Sequence, residues 1–132
     1  MQASHTNGIN ELTAILDRTL QDGGGTFSRS GVPVPTSGYA VGVLGSRALR
    51  PRHRAADLAA FAARYSRCLT DPEAGYYLGT WIDPDGVWIA DVVAVIPRLA
   101  DALALAAIHG QDCVFDLATG RKYPTPTGTP TA

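Results

Sequence analysis

The segment YYLGTWIDPDGVWIADVVAVIP, at residues 76–97, constrains the fold of this chain more than any other stretch. It contains two β-rich runs on either side of DPDG, where Pro at the second and Gly at the fourth position indicate a type I turn. We therefore predict a β-hairpin. Its second strand, over 87–96, is apolar at almost every position, which is typical of a strand covered on both faces. This predicts a hairpin at the centre of the core, whose aromatic rings serve packing rather than ligand binding.

Helical spacing of apolar residues predicts three helices around this hairpin. The first contains apolar residues from Ile9 to Leu20 and ends at the glycines of DGGGT. The second covers 52–69, and the third begins at Pro97 and ends at Gly110. Since two helices can cover only one face of the sheet, we expect the N-terminal helix or a second copy of the chain on the other face. A homodimer is therefore one expected state.

The strands outside the hairpin set the predicted fold class. YAVGVLG, at residues 39–45, and DCVFDL, at residues 112–117, both read as strands. From Tyr39 onward the order is strand, helix, hairpin, helix, strand, which is the βαββαβ order of ferredoxin-like or split βαβ folds. We predict an α+β fold with an antiparallel or mixed sheet of four to five strands, preceded by an N-terminal helix.

The chain length of 132 residues suits one domain. We predict a single α+β domain over residues 8–123. Residues 1–7 are polar and without periodicity, so we expect a flexible N-terminus. Residues 124–132 are rich in Pro and Thr, so we expect a disordered tail.

Composition excludes several classes of partner. No apolar run reaches the roughly 18 residues that a membrane span needs. The start MQASHTNGIN has neither the basic nor the apolar segment of a signal peptide. We therefore expect a cytoplasmic protein with no membrane partner. A net charge of -1 and the absence of a recognised motif also disfavour nucleic acid as a partner.

The residue types that commonly bind metals or carry out redox chemistry, Cys and His, form no known motif in this sequence. Cys68 and Cys113 lie far apart and neither belongs to a C-x-x-C pair, so both read as buried small side chains. The three histidines, His5, His53 and His109, are scattered along the chain. We therefore predict no metal site, no cofactor and no His/Cys catalysis.

Charge is distributed unevenly along the sequence. Residues 47–67 contain six Arg and one acid, whereas residues 71–116 contain eight acids and one Arg. Guanidinium groups and the N–H groups of a helix N-terminus both favour phosphate or carboxylate. A nucleotide, another small anion or an acidic protein surface would suit this region, and a solvated charged loop is the alternative. The candidate binding residues are Arg47, Arg50, Arg52, His53, Arg54, Arg64 and Arg67.

Asp91 interrupts one apolar face of the second hairpin strand. A buried carboxylate costs free energy unless it is paired or hydrogen-bonded. One interpretation is a structural acid, at the rim of the sheet or bonded to a hydroxyl or an Arg. The other is a site acid, which makes Asp91 a further candidate binding residue. No second acid has the spacing of two-carboxylate catalysis, so we predict no catalytic residue.

Three stretches together resemble a known group of proteins: GGTFS with PTSGYAVGV, YYLGTWIDPDGVWIADVV, and CVFDLATGRKYP. Over about residues 20–124 the chain is similar to small uncharacterised proteins of actinobacteria, their phages and their plasmids. That group has no established activity, so the resemblance implies no catalytic residue. It implies a phage or mobile-element origin, and small proteins of that origin often bind and block a host protein or sequester a signalling molecule.

These observations predict a small protein that binds and modulates a host protein without catalysis. The alternative is a protein that sequesters a nucleotide or another small anion through the group Arg47–Arg54. A small enzyme built around Asp91 and a nearby His or Arg is a third hypothesis. The sequence leaves all three open.

Overall fold

The computed structural model describes residues 3–126, which form one sheet and a set of helices. Among the described residues there are six strands and four helices, and the α+β class is confirmed. No helix in this range is both long and apolar enough to cross a membrane. In chain order the elements are α1 (Ala3–Asp22), β1 (Gly24–Phe27), β2 (Tyr39–Leu49), α2 (Arg54–Arg64), α3 (Ser66–Thr70), β3 (Tyr76–Ile82), β4 (Trp88–Ile96), α4 (Leu99–Ile108), β5 (Cys113–Asp116) and β6 (Lys122–Pro124).

The strands form a single antiparallel sheet in the order β1-β3-β4-β2-β5-β6. The sheet has six strands rather than the predicted four to five. The predicted βαββαβ order is not confirmed. Two helices, α2 and α3, lie where one was predicted, and a further strand, β6, follows β5. The edge strands β1 and β6 have only four and three residues. Strands this short contain too few side chains to show an alternating pattern.

The hairpin of β3 and β4 is confirmed, and its turn residues account for it. The carboxylate of Asp83 accepts the backbone N–H groups of Asp85 and Val87, each at 2.9 Å. The N–H of Gly86 donates to the carbonyl of Asp83 at 2.9 Å, and Gly86 has a φ of 84°. Asp accepts bonds from the backbone of a turn, and Gly tolerates positive φ without steric cost. The turn is therefore determined by local chemistry.

β2 is longer than predicted, since it continues beyond residue 45 to Leu49. Its pairing with β4 shifts register between Gly42 and Leu44 and again between Leu44 and Arg47. The extra residues form a bulge, in which Gly45 has a φ of 91°. A bulge leaves residues unpaired and interrupts alternation, so this part of a strand looks like a loop in the sequence.

The ends of other elements also differ from the predictions. The single helix predicted over 52–69 is divided at Tyr65, whose φ of -105° and ψ of 23° separate α2 from α3. α1 begins at Ala3, within the segment predicted to be flexible. At the other end, Pro124 belongs to β6 and Thr125 is buried. Residues 127–132 of the predicted tail lie outside the described residues.

All four helices lie on one face of the sheet. Ile15 of α1 and Leu58 of α2 belong to the same core cluster as Leu78 of β3, and Val41 of β2 packs with Ala102 of α4. Strand alternation and register place Leu78 and Val41 on the same face. Of the two expected covers of the opposite face, the N-terminal helix is therefore wrong, and a second copy of the chain stays a prediction. The apolar residues of α1 and α2 pack into one cluster with the same face of β3 and β4, and this contact keeps α1 on the side of the other helices.

Candidate functional site

The face of the sheet that carries no helix curves around a cavity of about 580 Å³, which the end of α1 also lines through Arg18 and Asp22. The distance between two residues from opposite sides of the sheet shows this curvature. The Nζ atom of Lys122, on β6, lies 5.8 Å from the ring centroid of Trp81, on β3. Four strand spacings separate β3 from β6 in the sheet order, which would be about 19 Å in a flat sheet. The sheet is therefore curled, and its two sides approach each other across the cavity.

Two glycines within the strands line this cavity, and neighbouring side chains pack directly against them. A Cβ atom on Gly42 would lie 2.7 Å from Oε1 of Gln111 and 3.2 Å from Cγ of Asp91. A Cβ atom on Gly79 would clash with a methyl group of Val93. Gly in the interior of a strand weakens the sheet and often marks a place where a ligand or a second backbone approaches closely. The glycines are therefore a sequence signal for the close approach of Gln111 and Val93 to the strands that line the cavity.

Asp91 lies at the floor of the cavity and is 5% exposed. Burial raises the pKa of its carboxyl group, whereas hydrogen bonding from Ser46 and Trp81 opposes that rise in part. Its Oδ1 atom is buried and has no hydrogen-bond partner among the described residues. Of the structural interpretations, a position at the rim and a bond to an Arg do not describe this environment, whereas a bond to a hydroxyl does, since Ser46 hydrogen-bonds to the carboxyl. Asp91 is instead a buried acid that faces a cavity with one acceptor atom unused.

The bulge of β2 brings Ser46 to Asp91. In the register of the two strands, Asp91 faces the bulged residues between Leu44 and Arg47. Ser46 has a φ of 34°, the one positive φ among the described residues other than glycine. Non-glycine residues rarely adopt this conformation, and it persists where surrounding structure enforces it. Here the bulge enforces it, and the result is a hydroxyl group directed at the buried carboxyl.

Further polar groups line the cavity around Asp91. The amide of Gln111 and the carboxyl of Asp91 both lie close to Gly42 of β2, and the Lys122 ammonium lies over the Trp81 ring. Cys113 also lines the cavity, and burial raises the pKa of its thiol, so the thiol is protonated at neutral pH. In the described range, no group of three or more His, Cys, Asp and Glu side chains could hold a metal ion. The arrangement offers an acid, an amide, a cation and a flat ring to one small molecule.

The two tryptophans of the hairpin lie on opposite faces of the sheet. Trp88 is 7% exposed and belongs to the core beneath the helices. The guanidinium carbon of Arg54 lies 4.2 Å from its ring centroid. Trp81 faces the cavity with Asp91. The prediction that the hairpin rings serve packing therefore holds for Trp88, whereas Trp81 lies in the wall of the cavity.

The predicted arginine group does not form a single cluster. Arg50 binds Asp57, with Nε 2.9 Å from Oδ2 and Nη2 2.7 Å from Oδ1. Arg54 stacks on Trp88, as described above. Arg47 and Arg64 line a second cavity of about 450 Å³, together with Asp57. The remaining three predicted residues are exposed and line neither cavity: Arg52, His53 and Arg67.

Asp57→Asn is expected to lower the melting temperature at pH 7. The Arg50 guanidinium and the Arg50 backbone N–H hold the pKa of the Asp57 carboxyl well below its usual range. A depressed pKa means that the ionised carboxylate stabilises the fold above the pKa of the unfolded chain, about 3.9, and that this contribution is lost as the pH falls below it. Thermal unfolding of the variant and the native chain should therefore give melting temperatures that converge in acid. A difference that stays constant from neutral to acid pH would contradict this assignment.

No known protein family, curated protein or solved structure matches the chain. The function must therefore be inferred from the chemistry of the cavities. Of the residues singled out in the sequence, Asp91 lies in the larger cavity. Gln111, Trp81 and Lys122 were not singled out, because only the curl of the sheet brings them to Asp91.

Proposed function

We propose that this chain binds a small molecule in the cavity that the curled sheet encloses. The observation that carries the proposal is the Oδ1 atom of Asp91, which is buried and lacks a partner among the described residues. A buried acceptor left unpaired costs about 1–3 kcal/mol. Such atoms are rare in native proteins, and one that faces a cavity is a candidate acceptor for a hydrogen-bond donor of a ligand. A ligand that donates a hydrogen bond to Asp91 would remove this cost.

The cavity also suits the size and shape of a small ligand. Its volume of about 580 Å³ falls within the roughly 300–1,000 Å³ typical of small-molecule sites. Trp81 supplies a flat apolar surface at its wall, and Val93 and Phe115 supply further apolar area. Such sites are mostly apolar, with a few polar groups that orient the ligand. Here Asp91 and Gln111 are two of those polar groups.

The expected ligand carries a nitrogen cation, such as an amidine or an amine, beside an aromatic or apolar body. A charged N–H donor forms a charge-assisted hydrogen bond with a carboxylate, which is stronger than a neutral bond. The Lys122 ammonium already lies over the indole ring of Trp81, so the ligand cation pairs with Asp91 and its apolar body contacts Val93 and Phe115. The carboxyl of Asp91 must lose its proton to form this charge-assisted bond. Because burial raises its pKa, the affinity for a permanently charged ligand should rise with pH.

Benzamidine and its neutral counterpart benzamide test the proposal, because they have nearly the same shape. We expect benzamidine to quench the fluorescence of Trp81 and to bind at least about 10-fold more tightly than benzamide. Asp91→Asn should remove that preference. Asp85→Asn, which removes an exposed acid in the hairpin turn, is the matched control and should retain it.

A second variant tests the cavity without altering its charge. Gly42→Val places a side chain between Asp91 and Gln111, and the nearest atom it meets is the flexible end of Gln111. The strand conformation suits valine. We expect a folded protein that no longer binds benzamidine. Equal affinity for both compounds, or binding that survives both Asp91→Asn and Gly42→Val, would contradict the proposal.

We propose binding without catalysis, because the groups that act on the pKa of Asp91 are the uncharged side chains of Ser46 and Trp81. The enzyme hypothesis requires a His or an Arg beside this acid. Modulation of a host protein, a mobile-element origin and a cytoplasmic location stay predictions. Capture of a small signalling molecule in the cavity is one way in which such a protein would act.

A further inference from the structure

The second cavity lies on the opposite side of the sheet, between the bulge of β2 and the helix α2. It has a volume of about 450 Å³. The side chain of Arg47 reaches it from β2, and the side chain of Arg64 reaches it from the last residue of α2. Arg47 faces this side because it pairs with Ala90, which is buried beneath the helices. Two guanidinium groups from different elements therefore border one cavity.

Neither guanidinium is neutralised. Asp57 is the one carboxylate among the lining residues, and both of its oxygens bind Arg50. Arg47 and Arg64 have no ion pair within the described part of the chain. The dipole of α2 favours a cation at Arg64, but it does not account for Arg47 on the neighbouring strand. Two like charges beside one cavity repel each other, and an anion between them would relieve that repulsion.

Aromatic side chains form the remaining wall. The rings of Phe61 and Tyr65 lie with their centroids 4.9 Å apart. Gly45 passes close to them, because a Cβ atom there would lie 2.7 Å from the Phe61 ring. Nε of Arg64 donates to the Tyr65 hydroxyl at 3.4 Å, which leaves the hydroxyl proton of Tyr65 available to an acceptor. The cavity thus combines two cations, one hydroxyl donor and two rings.

We propose that this second cavity binds a small organic anion, a phosphate ester or a carboxylate, whose flat body contacts Phe61 and Tyr65. The planar donors of Arg47 and Arg64 match the oxygens of such a group. This inference is independent of the ligand proposed for Asp91. The two cavities lie on opposite faces of the sheet, and they share no lining residue.

Phenyl phosphate is the probe, inorganic phosphate tests the anionic group alone, and phenol tests the ring alone. In isothermal titration calorimetry we expect phenyl phosphate to bind more tightly than either. The double variant Arg47→Gln/Arg64→Gln should weaken phenyl phosphate binding by at least about 10-fold. The double variant Arg52→Gln/Arg67→Gln removes the same charge from exposed positions outside the cavity and should change the affinity by less than about 2-fold.

The controls separate a specific site from general attraction to a basic surface. Equal losses in the two double variants would overturn the proposal, as would the absence of any heat of binding at millimolar phenyl phosphate. All four arginines are exposed, so melting temperatures should stay near that of the native chain and verify that both variants fold. Asp91→Asn should leave phenyl phosphate binding unchanged. A failure here would not affect the benzamidine test, since the two tests use different residues.

Discussion

Asp91→Asn is expected to raise the free energy of unfolding at pH 7 by about 1–3 kcal/mol. The native carboxyl group is buried, and burial disfavours its ionised form. Asparagine has nearly the same shape and cannot ionise. Its amide oxygen still accepts hydrogen bonds from Ser46 and Trp81. The substitution therefore removes the desolvation cost of a charge and retains the polar contacts.

The sign of the pH dependence follows from the direction of the pKa shift. Because the pKa of Asp91 is raised in the folded state, the folded chain holds a proton that the unfolded chain loses above about pH 3.9. The contribution of Asp91 to the free energy of unfolding is therefore largest below that pH, and it decreases as the pH rises through the pKa of the folded state. The advantage of the asparagine variant should be smallest in mild acid and largest at neutral pH.

Urea unfolding of both proteins in mild acid and at neutral pH measures this difference. Asp85→Asn is the matched control, since that exposed residue should show no comparable trend. An advantage for Asp91→Asn that is the same at both pH values would show that ionisation is not its cause. Together with the loss of benzamidine binding, the expected result would identify Asp91 as a residue kept for binding at the expense of stability.

Thr19→Val is expected to lower the free energy of unfolding by about 1–3 kcal/mol. Thr19, on α1, is fully buried, and Thr80, on β3, is 4% exposed. The Thr19 hydroxyl donates to the carbonyl of Ile15 at 2.7 Å, and its oxygen lies 2.6 Å from the Thr80 hydroxyl. Since Thr19 has one proton, Thr80 must donate the second bond. The substitution therefore leaves a buried donor without its acceptor.

A double-mutant cycle tests this interpretation by urea unfolding. Thr80→Val should cost less than Thr19→Val, because Thr19 keeps its bond to Ile15. The double variant should cost less than the two single changes together, since it leaves no unpaired hydroxyl. Additive losses would show that the two hydroxyl groups are not coupled. The cycle also measures how strongly α1 is attached to the sheet.

The hairpin and the candidate acid could be predicted because the information for both is local. The turn depends on the side chain of Asp83 and on the positive φ of Gly86, which are adjacent in the sequence. Asp91 is conspicuous as one acid in an apolar strand. The bulge of β2 was not predicted, because its left-handed residues Gly45 and Ser46 are stable only against the partner strand β4.

Local patterns suffice for the α+β class, for the central hairpin and for the acid within it, because turn chemistry and side-chain alternation act over a few residues. Packing between distant elements places α1 on the same face as the other helices and curls the free face until Lys122 approaches Trp81. It also divided the arginines between a salt bridge, a ring contact and a second cavity. These outcomes depend on contacts between distant parts of the chain, which no local pattern records.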